Sequence, residues 1–259
     1  MKIALLGSGN VATHLGRALK TAGEEIIQVW SRSMVNASAL AVELAAVATD
    51  DLSGIRRDAD LYIISVNDDA IESVASQMPD VAGRLVVHTS GSTGMEVLGD
   101  ASHSIGVLYP LQTFSKLKDV DFSRIPIAVE GSTPQIVELL SAVAGKLSHT
   151  VVEMTSAQRR TLHVAAVFAC NFTNHFFAVA ADILKREGFS FEIIRPLIAE
   201  TADKIQISDP QDVQTGPAVR RDNRTMEKHL EILKDQPALA EIYEKVSQSI
   251  INLHKQDRR

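Results

Sequence analysis

The chain has 259 residues, of which 45% are hydrophobic and 22% are charged, a composition typical of soluble globular domains. Its net charge is −6 and its basic clusters are short and scattered, so it lacks the basic surface of a nucleic-acid-binding protein. The single cysteine, Cys170, excludes an internal disulfide, and its apolar surroundings predict a buried side chain. No Cys/His spacing is typical of a metal site.

The sequence predicts neither a membrane span nor a secretory signal. The longest apolar segment, 164–181, is interrupted by Asn171, Asn174 and His175, and the first apolar run reaches a glycine-rich turn within six residues. We therefore expect a cytoplasmic protein with no membrane partner and no nucleic-acid partner.

The first half of the chain alternates short apolar runs with helical patterns. The predicted strands are 3–6, 26–30, 61–66, 85–88, 105–108, 125–129 and 150–152, and the predicted helices are 10–22, 35–44, 69–78 and 134–145. Strands that alternate with helices of this length predict βαβ units and a mainly parallel sheet. The fold class is therefore α/β, with an N-terminal Rossmann-type, doubly wound domain.

The strand signal disappears after about residue 153. Helical patterns cover 155–187, 191–204, 225–234 and 237–254, with a loop at 210–223 that contains Gly216-Pro217. This pattern predicts a dinucleotide-binding domain over 1–153 and an all-α substrate or dimerisation domain over 154–259.

The turn after the first predicted strand matches the pattern G-x-G-x-x-A, and the residues expected to bind a cofactor there are Gly7, Ser8, Gly9, Asn10 and Val11. Gly7 permits a tight turn, and Gly9 lets the backbone approach a pyrophosphate. Free N–H groups at the start of the following helix would face the phosphates. The alternative is a turn of the same shape in a protein that has lost its nucleotide.

The segment after the second predicted strand indicates which dinucleotide is bound. NAD enzymes usually place an acidic residue there for the ribose 2′-hydroxyl, whereas this chain has Ser31, Arg32 and Ser33. A guanidinium group flanked by two hydroxyls suits a 2′-phosphate, which favours NADP(H) over NAD(H). Otherwise, Arg32 is a solvated loop residue.

Two later turns also follow strands, at the edge where doubly wound sheets bind ligands. We expect Val66 and Asn67 to lie along the cofactor and Ser90 to border the nicotinamide and the substrate. Ordinary turn chemistry is the alternative for each. His88, which ends a predicted strand, is more typical of a hydrogen-bonded structural residue than of a catalytic one.

Several motifs together resemble a known group of proteins. They are the segments 7–12, 88–92, 108–114, 163–172 and 215–222. The chain resembles the two-domain NADP-dependent oxidoreductases, which include pyrroline-5-carboxylate and ketopantoate reductases. It is most similar to a bacterial branch with a helical domain of unknown function. That branch often carries glycine at the position of Arg221.

The long predicted helix carries polar residues within an apolar sequence. The related reductases place polar catalytic groups on this helix, in a Lys and Asn pattern, and His163 and Asn171 are the nearest analogues here. His163 could donate a proton as hydride arrives, and Asn171 could orient the substrate. Alternatively, the polar residues form hydrogen bonds across a dimer or domain contact. Tyr109 is a further candidate proton donor.

The loop 215–222 has two interpretations. One of its arginines could bind a substrate carboxylate or phosphate, or Asp222 could simply cap the next helix. The resulting hypothesis is an NADP(H)-dependent oxidoreductase that transfers hydride to or from a small carbonyl, imine or hydroxyacid substrate. The alternative is a non-catalytic NADP(H)-binding sensor or assembly protein. A homodimer is expected, because the segment 164–184 is more apolar than one small domain can readily bury.

Overall fold

The computed structural model describes residues 1–81, 83–99, 101–116 and 118–256. Contacts divide the chain into two compact units, residues 1–175 and residues 176–259. The last strand ends at Glu153, where the strand signal ends in the sequence. The first unit nevertheless continues to residue 175. It therefore includes Arg159, which donates to the Ser90 carbonyl.

Eight strands form one sheet in the described residues, in the order β3-β2-β1-β4-β5-β6-β7-β8. They are β1 (Lys2–Leu6), β2 (Glu25–Trp30), β3 (Val47–Thr49), β4 (Leu61–Ile64), β5 (Leu85–His88), β6 (Ile105–Pro110), β7 (Ile127–Gly131) and β8 (Val151–Glu153). Neighbouring strands are parallel except β6 and β7. The mainly parallel, doubly wound sheet is therefore confirmed. The short edge strand β3 was not predicted.

Helices cover both faces of this sheet. They are α1 (Asn10–Thr21), α2 (Met34–Leu44), α3 (Ile71–Gln77) and α4 (Pro134–Gly145). In β1, Ile3 and Leu5 pack into one core and Ala4 and Leu6 into the other. A strand buried on both faces reads as a continuous apolar run, which is why the sequence shows its strands without alternation.

The predicted long helix is continuous from Ser156 to Arg186. It contains α5 (Ser156–Ala166), a π-helical segment (Val167–Phe172) and α6 (Thr173–Arg186). A π turn holds more residues than an α turn, so it shifts the helical residues after it around the helix axis. Positions around the helix axis therefore cannot be projected at 100° per residue across this segment.

The described part of the second unit is helical, as expected. After α6 come α7 (Arg195–Ile207), α8 (Pro217–Arg220), α9 (Asn223–Ile232) and α10 (Pro237–Gln256). The predicted loop 210–223 thus contains one short helix. Proline at its first turn and a left-handed residue at its end, Arg221, define that helix.

The long helix exposes much of its apolar surface. Among the described residues, only Ser156–Arg186 has the length and hydropathy of a membrane span, and none of its most apolar window is buried. The exposed side chains include Val164, Phe168, Phe172 and Phe176. Cys170 is also exposed, so the prediction that it is buried was wrong: the apolar surroundings that suggested burial belong to this uncovered surface.

Candidate cofactor-binding and active site

The site lies where the strand order reverses, at the carboxyl ends of β1 and β4. Ser65 N donates to Leu6 O at 2.7 Å and Gly7 N donates to Trp30 O at 2.8 Å, so the turn after β1 is held by both neighbouring strands. Gly7 has φ +139°, and a Cβ there would stand 2.0 Å from Ser65 O. Only glycine fits this turn, in agreement with the role predicted for it.

A cleft of about 800 Å³ opens at this point. It is lined by ten of the eleven residues that the sequence analysis assigned to the cofactor: Gly7, Ser8, Gly9, Asn10, Val11, Ser31, Arg32, Val66, Asn67 and Ser90. Ser33 is not among its lining residues. The Ser33 hydroxyl instead accepts the Asn36 N–H at 3.4 Å and caps the N-terminus of α2.

One end of the cleft combines the glycine turn with hydroxyls and cations. The Ser8 hydroxyl donates to the Ser31 hydroxyl at 2.8 Å, which joins the turn after β1 to the turn after β2. The exposed Arg32 follows directly. A Cβ at Gly9 would meet no atom within 4 Å. The fold therefore does not require glycine at position 9, whereas a phosphate at the start of α1 would.

The other end of the cleft brings together two residues 54 positions apart in the chain. The Tyr109 hydroxyl at the end of β6 lies 3.1 Å from His163 Nδ1 on α5. Burial raises the pKa of Tyr109. Gly91 packs against the pair, because a Cβ at that position would stand 2.6 Å from His163 Nδ1 and 2.8 Å from Tyr109 Oη. All three line the cleft.

A buried arginine supports this end of the cleft from behind. Arg159, which is 1% exposed, donates to the Ser90 and Thr93 carbonyls at 2.7 Å. It also donates to Glu130 and to the Ser156 hydroxyl, both at 3.0 Å. The turn that carries Ser90 and Gly91 is therefore bound to the first turn of α5.

His88 belongs to the same support. Its Nδ1 accepts the Ser90 N–H at 3.1 Å and its Nε2 lies 3.2 Å from Gly94 O. Burial, together with the nearby Arg159, lowers its pKa to about 4, which keeps the imidazole neutral near pH 7. The structural interpretation of His88 is confirmed.

Other candidates lie away from the cleft or have structural partners. Asn171 is exposed on the π-helical segment and is not among the residues that line the cleft. Asp222 accepts the Thr225 N–H at 3.1 Å and caps α9, which confirms the capping interpretation of the 215–222 loop. Arg221 has φ +55°, a conformation that suits glycine, and this explains why a glycine fits that position.

Sequence reasoning missed three residues that shape the site. Lys116 lines the cleft and donates to Ser8 O at 2.8 Å, and Gln112 lines it as well. Arg159 was seen only as part of a short basic cluster. The motif at 108–114 pointed to this region, but no local sequence pattern shows that Lys116, two residues after it, contacts the turn after β1.

The fold and the site define a class: Rossmann-type proteins with a dinucleotide site at the switch point of a parallel sheet, followed by a helical unit. Residues 2–91 match the family model described as NADP oxidoreductase coenzyme F420-dependent, and residues 125–250 match a domain of unknown function, DUF2520. None of the curated proteins gives a significant match.

Solved structures extend the likeness over the whole chain. The putative NADP oxidoreductase of Bacteroides fragilis is 42% identical, with 97% of this chain and 98% of that chain covered and a TM-score of 0.88. A Thermotoga maritima protein is 21% identical over 99% of this chain and 100% of its own, with a TM-score of 0.75. The reductive aminase of Aspergillus terreus, solved with NADPH, shares the fold at 15% identity, over 98% and 94% of the two chains, with a TM-score of 0.72. This chain belongs to the family of NADP oxidoreductases that joins a Rossmann-type domain to the DUF2520 domain.

Proposed function

We propose that this protein binds NADP(H) in the cleft of the first unit and transfers hydride between the nicotinamide and a small carbonyl or imine carbon. In the reverse direction, the substrate would be a hydroxyacid, which is oxidised to the carbonyl compound. One observation carries the proposal: the same cleft holds the dinucleotide turn at one end and the Tyr109–His163 pair at the other. The fold shared with a reductive aminase that was solved with NADPH supports the imine alternative.

The choice of NADP(H) over NAD(H) is assigned to Arg32. Charge-assisted hydrogen bonds of a guanidinium to a phosphate are worth about 1.5–3 kcal/mol. We therefore expect Arg32→Ala to weaken NADPH binding about 10- to 150-fold and to leave NADH binding unchanged. Isothermal titration calorimetry of both nucleotides measures this. Equal losses for the two nucleotides would remove Arg32 as the specificity residue, and wild-type protein that binds neither would refute the proposed function.

The proton that accompanies the hydride comes from the Tyr109–His163 pair. As hydride reaches the substrate carbon, the electrons of the C=O or C=N bond move to the heteroatom, which takes the proton of the Tyr109 hydroxyl. Burial disfavours the phenolate that remains. His163, 3.1 Å away, stabilises it by donating a hydrogen bond from Nδ1, and solvent returns the proton.

We expect Tyr109→Phe to lower kcat about 100-fold or more while the affinity for NADPH stays unchanged, because general acid catalysis contributes about 10²–10⁴-fold. The assay follows NADPH absorbance with a panel of small cyclic imines and ketones. Tyr62→Phe is the matched control, since Tyr62 is buried and its hydroxyl donates to Arg56 O, outside the cleft.

The outcomes of this assay separate the two hypotheses. Wild-type kcat in Tyr109→Phe would contradict the role of the pair. NADPH binding by the wild type without turnover of any panel member would favour a non-catalytic sensor or assembly protein. The substrate-orienting role of Asn171 stays a prediction, although Asn171 does not line this cleft, and Asn171→Ala in the same assay tests it.

We also propose that the exposed apolar surface of the long helix is covered by a second copy of this chain. Phe168 is 65% exposed and Phe172 is 45% exposed, side by side with ring centroids 4.9 Å apart. Apolar surface of this kind marks contact with protein or lipid. Insertion into lipid would disrupt the helix start, because Arg159 and Ser156 there are bound to Glu130 in the first unit.

Phe168→Glu is expected to convert the dimer to a monomer, because burying an unpaired charge at an interface costs more than about 2 kcal/mol. Light scattering after size-exclusion chromatography gives the mass. The control is Val42→Glu on α2, an 82% exposed apolar residue outside the long helix. A monomeric wild type, or a wild type that binds to phosphatidylglycerol vesicles, would contradict the proposal.

A further inference from the structure

The segment Phe114–Lys116, which follows β6, is fixed against the start of the dinucleotide turn and of α1. Asn10 Nδ2 donates to Phe114 O at 2.9 Å, and His14 Nε2 lies 2.9 Å from Ser115 O. The His14 ring also stacks on Phe114, with centroids 5.3 Å apart. These contacts come from both the backbone and the side chains of the segment, so its position beside the turn is defined by the fold itself.

Lys116 is thereby brought to the edge of the cleft. Its Nζ donates to Ser8 O at 2.8 Å, and Ser8 lies between the two glycines of the turn. Lys116 is exposed and lines the cleft beside Gly7, Gly9 and Asn10. An ammonium group has three donors, of which Ser8 O uses one. Two donors and a full positive charge therefore remain at the place where the turn leaves room for phosphate.

We propose that Lys116 is a second cofactor-binding cation, one that contacts the pyrophosphate, and that Phe114–Lys116 is a clasp over the dinucleotide. The proposal rests on the proposed function. The role of Lys116 differs from that of Arg32. Arg32 follows β2, where the adenosine ribose and its 2′-phosphate are expected. Lys116 contacts the turn after β1, where the pyrophosphate is expected. The pyrophosphate is common to NADP(H) and NAD(H), so Lys116 adds affinity without specificity.

The test is calorimetric titration of the full chain with NADPH, NADH and 2′-AMP, which carries the 2′-phosphate but has no pyrophosphate. We expect Lys116→Met to raise the Kd of NADPH and of NADH by the same factor, about 10- to 100-fold, and to leave 2′-AMP unchanged. Arg32→Ala is expected to show the opposite pattern, with weaker NADPH and 2′-AMP binding and unchanged NADH binding.

Lys118→Met is the matched control, because Lys118 is exposed in the same loop and is not among the residues that line the cleft. It removes the same charge and should leave all three Kd values within about 2-fold, because Lys118 does not line the cleft and salt screens an exposed charge that makes no contact with the ligand. Unchanged dinucleotide binding in Lys116→Met, or a loss confined to NADPH and 2′-AMP, would overturn the clasp. A wild type that binds no ligand would instead refute the cofactor site itself, and the clasp with it.

Discussion

Gly7→Ala is expected to destabilise the first unit by about 3–5 kcal/mol and to abolish dinucleotide binding. The added Cβ would stand 2.0 Å from Ser65 O, and the φ of +139° is one that side chains rarely adopt. Ser65 cannot retreat freely, because its N–H donates to Leu6 O at 2.7 Å. Urea denaturation gives the free energy of unfolding, and calorimetry with NADPH gives the affinity.

Gly9→Ala separates folding from binding. A Cβ at this position meets no atom within 4 Å, and the backbone has the ordinary φ of −74°. The free energy of unfolding should therefore change by less than about 1 kcal/mol. NADPH affinity should still fall about 10- to 100-fold, because the methyl group occupies space that the pyrophosphate needs. Wild-type affinity in Gly9→Ala would place the pyrophosphate elsewhere and contradict the proposed site.

Arg159→Met is the second substitution with a large expected effect, a loss of about 3–5 kcal/mol of stability. Arg159 is 1% exposed. Its Nη1 donates hydrogen bonds to the carbonyls of Ser90 and Thr93. Its Nη2 donates to the Glu130 carboxylate and to the Ser156 hydroxyl. Methionine fills similar space but leaves Glu130 without its cation and the two carbonyls without this donor. Urea denaturation measures the change.

Arg160→Met is the matched control, because Arg160 is the next residue and is exposed. It should stay within about 0.5 kcal/mol of the wild type. Arg159→Met should also impair turnover at temperatures where it remains folded, because the turn that carries Gly91 and packs against Tyr109 and His163 loses its anchor. An unchanged free energy of unfolding in Arg159→Met would show that the buried ion pair makes no net contribution to stability.

The sequence was informative wherever the signal is local. A strand buried on both faces is a short apolar run, a helix has its own period, and the G-x-G-x-x-A turn has glycines at positions set by backbone geometry. The strands from β1 to β8, with the exception of β3, were therefore predicted, as were the turns that line the cleft. β3 has only three residues, none of them buried, so its burial pattern is too weak to read.

The π-helical segment separates two residues that the sequence analysis paired as analogues of one catalytic pattern. An angle of 100° per residue holds only along an uninterrupted α-helix. Val167–Phe172 has a wider turn, so the residues after it are displaced around the axis. His163, before the segment, lies in the cleft, whereas Asn171, within it, is exposed and does not line the cleft.

The sequence by itself thus determined the α/β class, the place of the dinucleotide turn, and Arg32 where NAD enzymes carry an acid. Only the tertiary structure decided that Tyr109 lies 3.1 Å from His163 and that Lys116 contacts Ser8, 108 positions away. Such contacts depend on which strand ends and helix starts pack together. The polar groups buried there need hydrogen-bond partners, and the packing supplies partners that are far apart in the sequence.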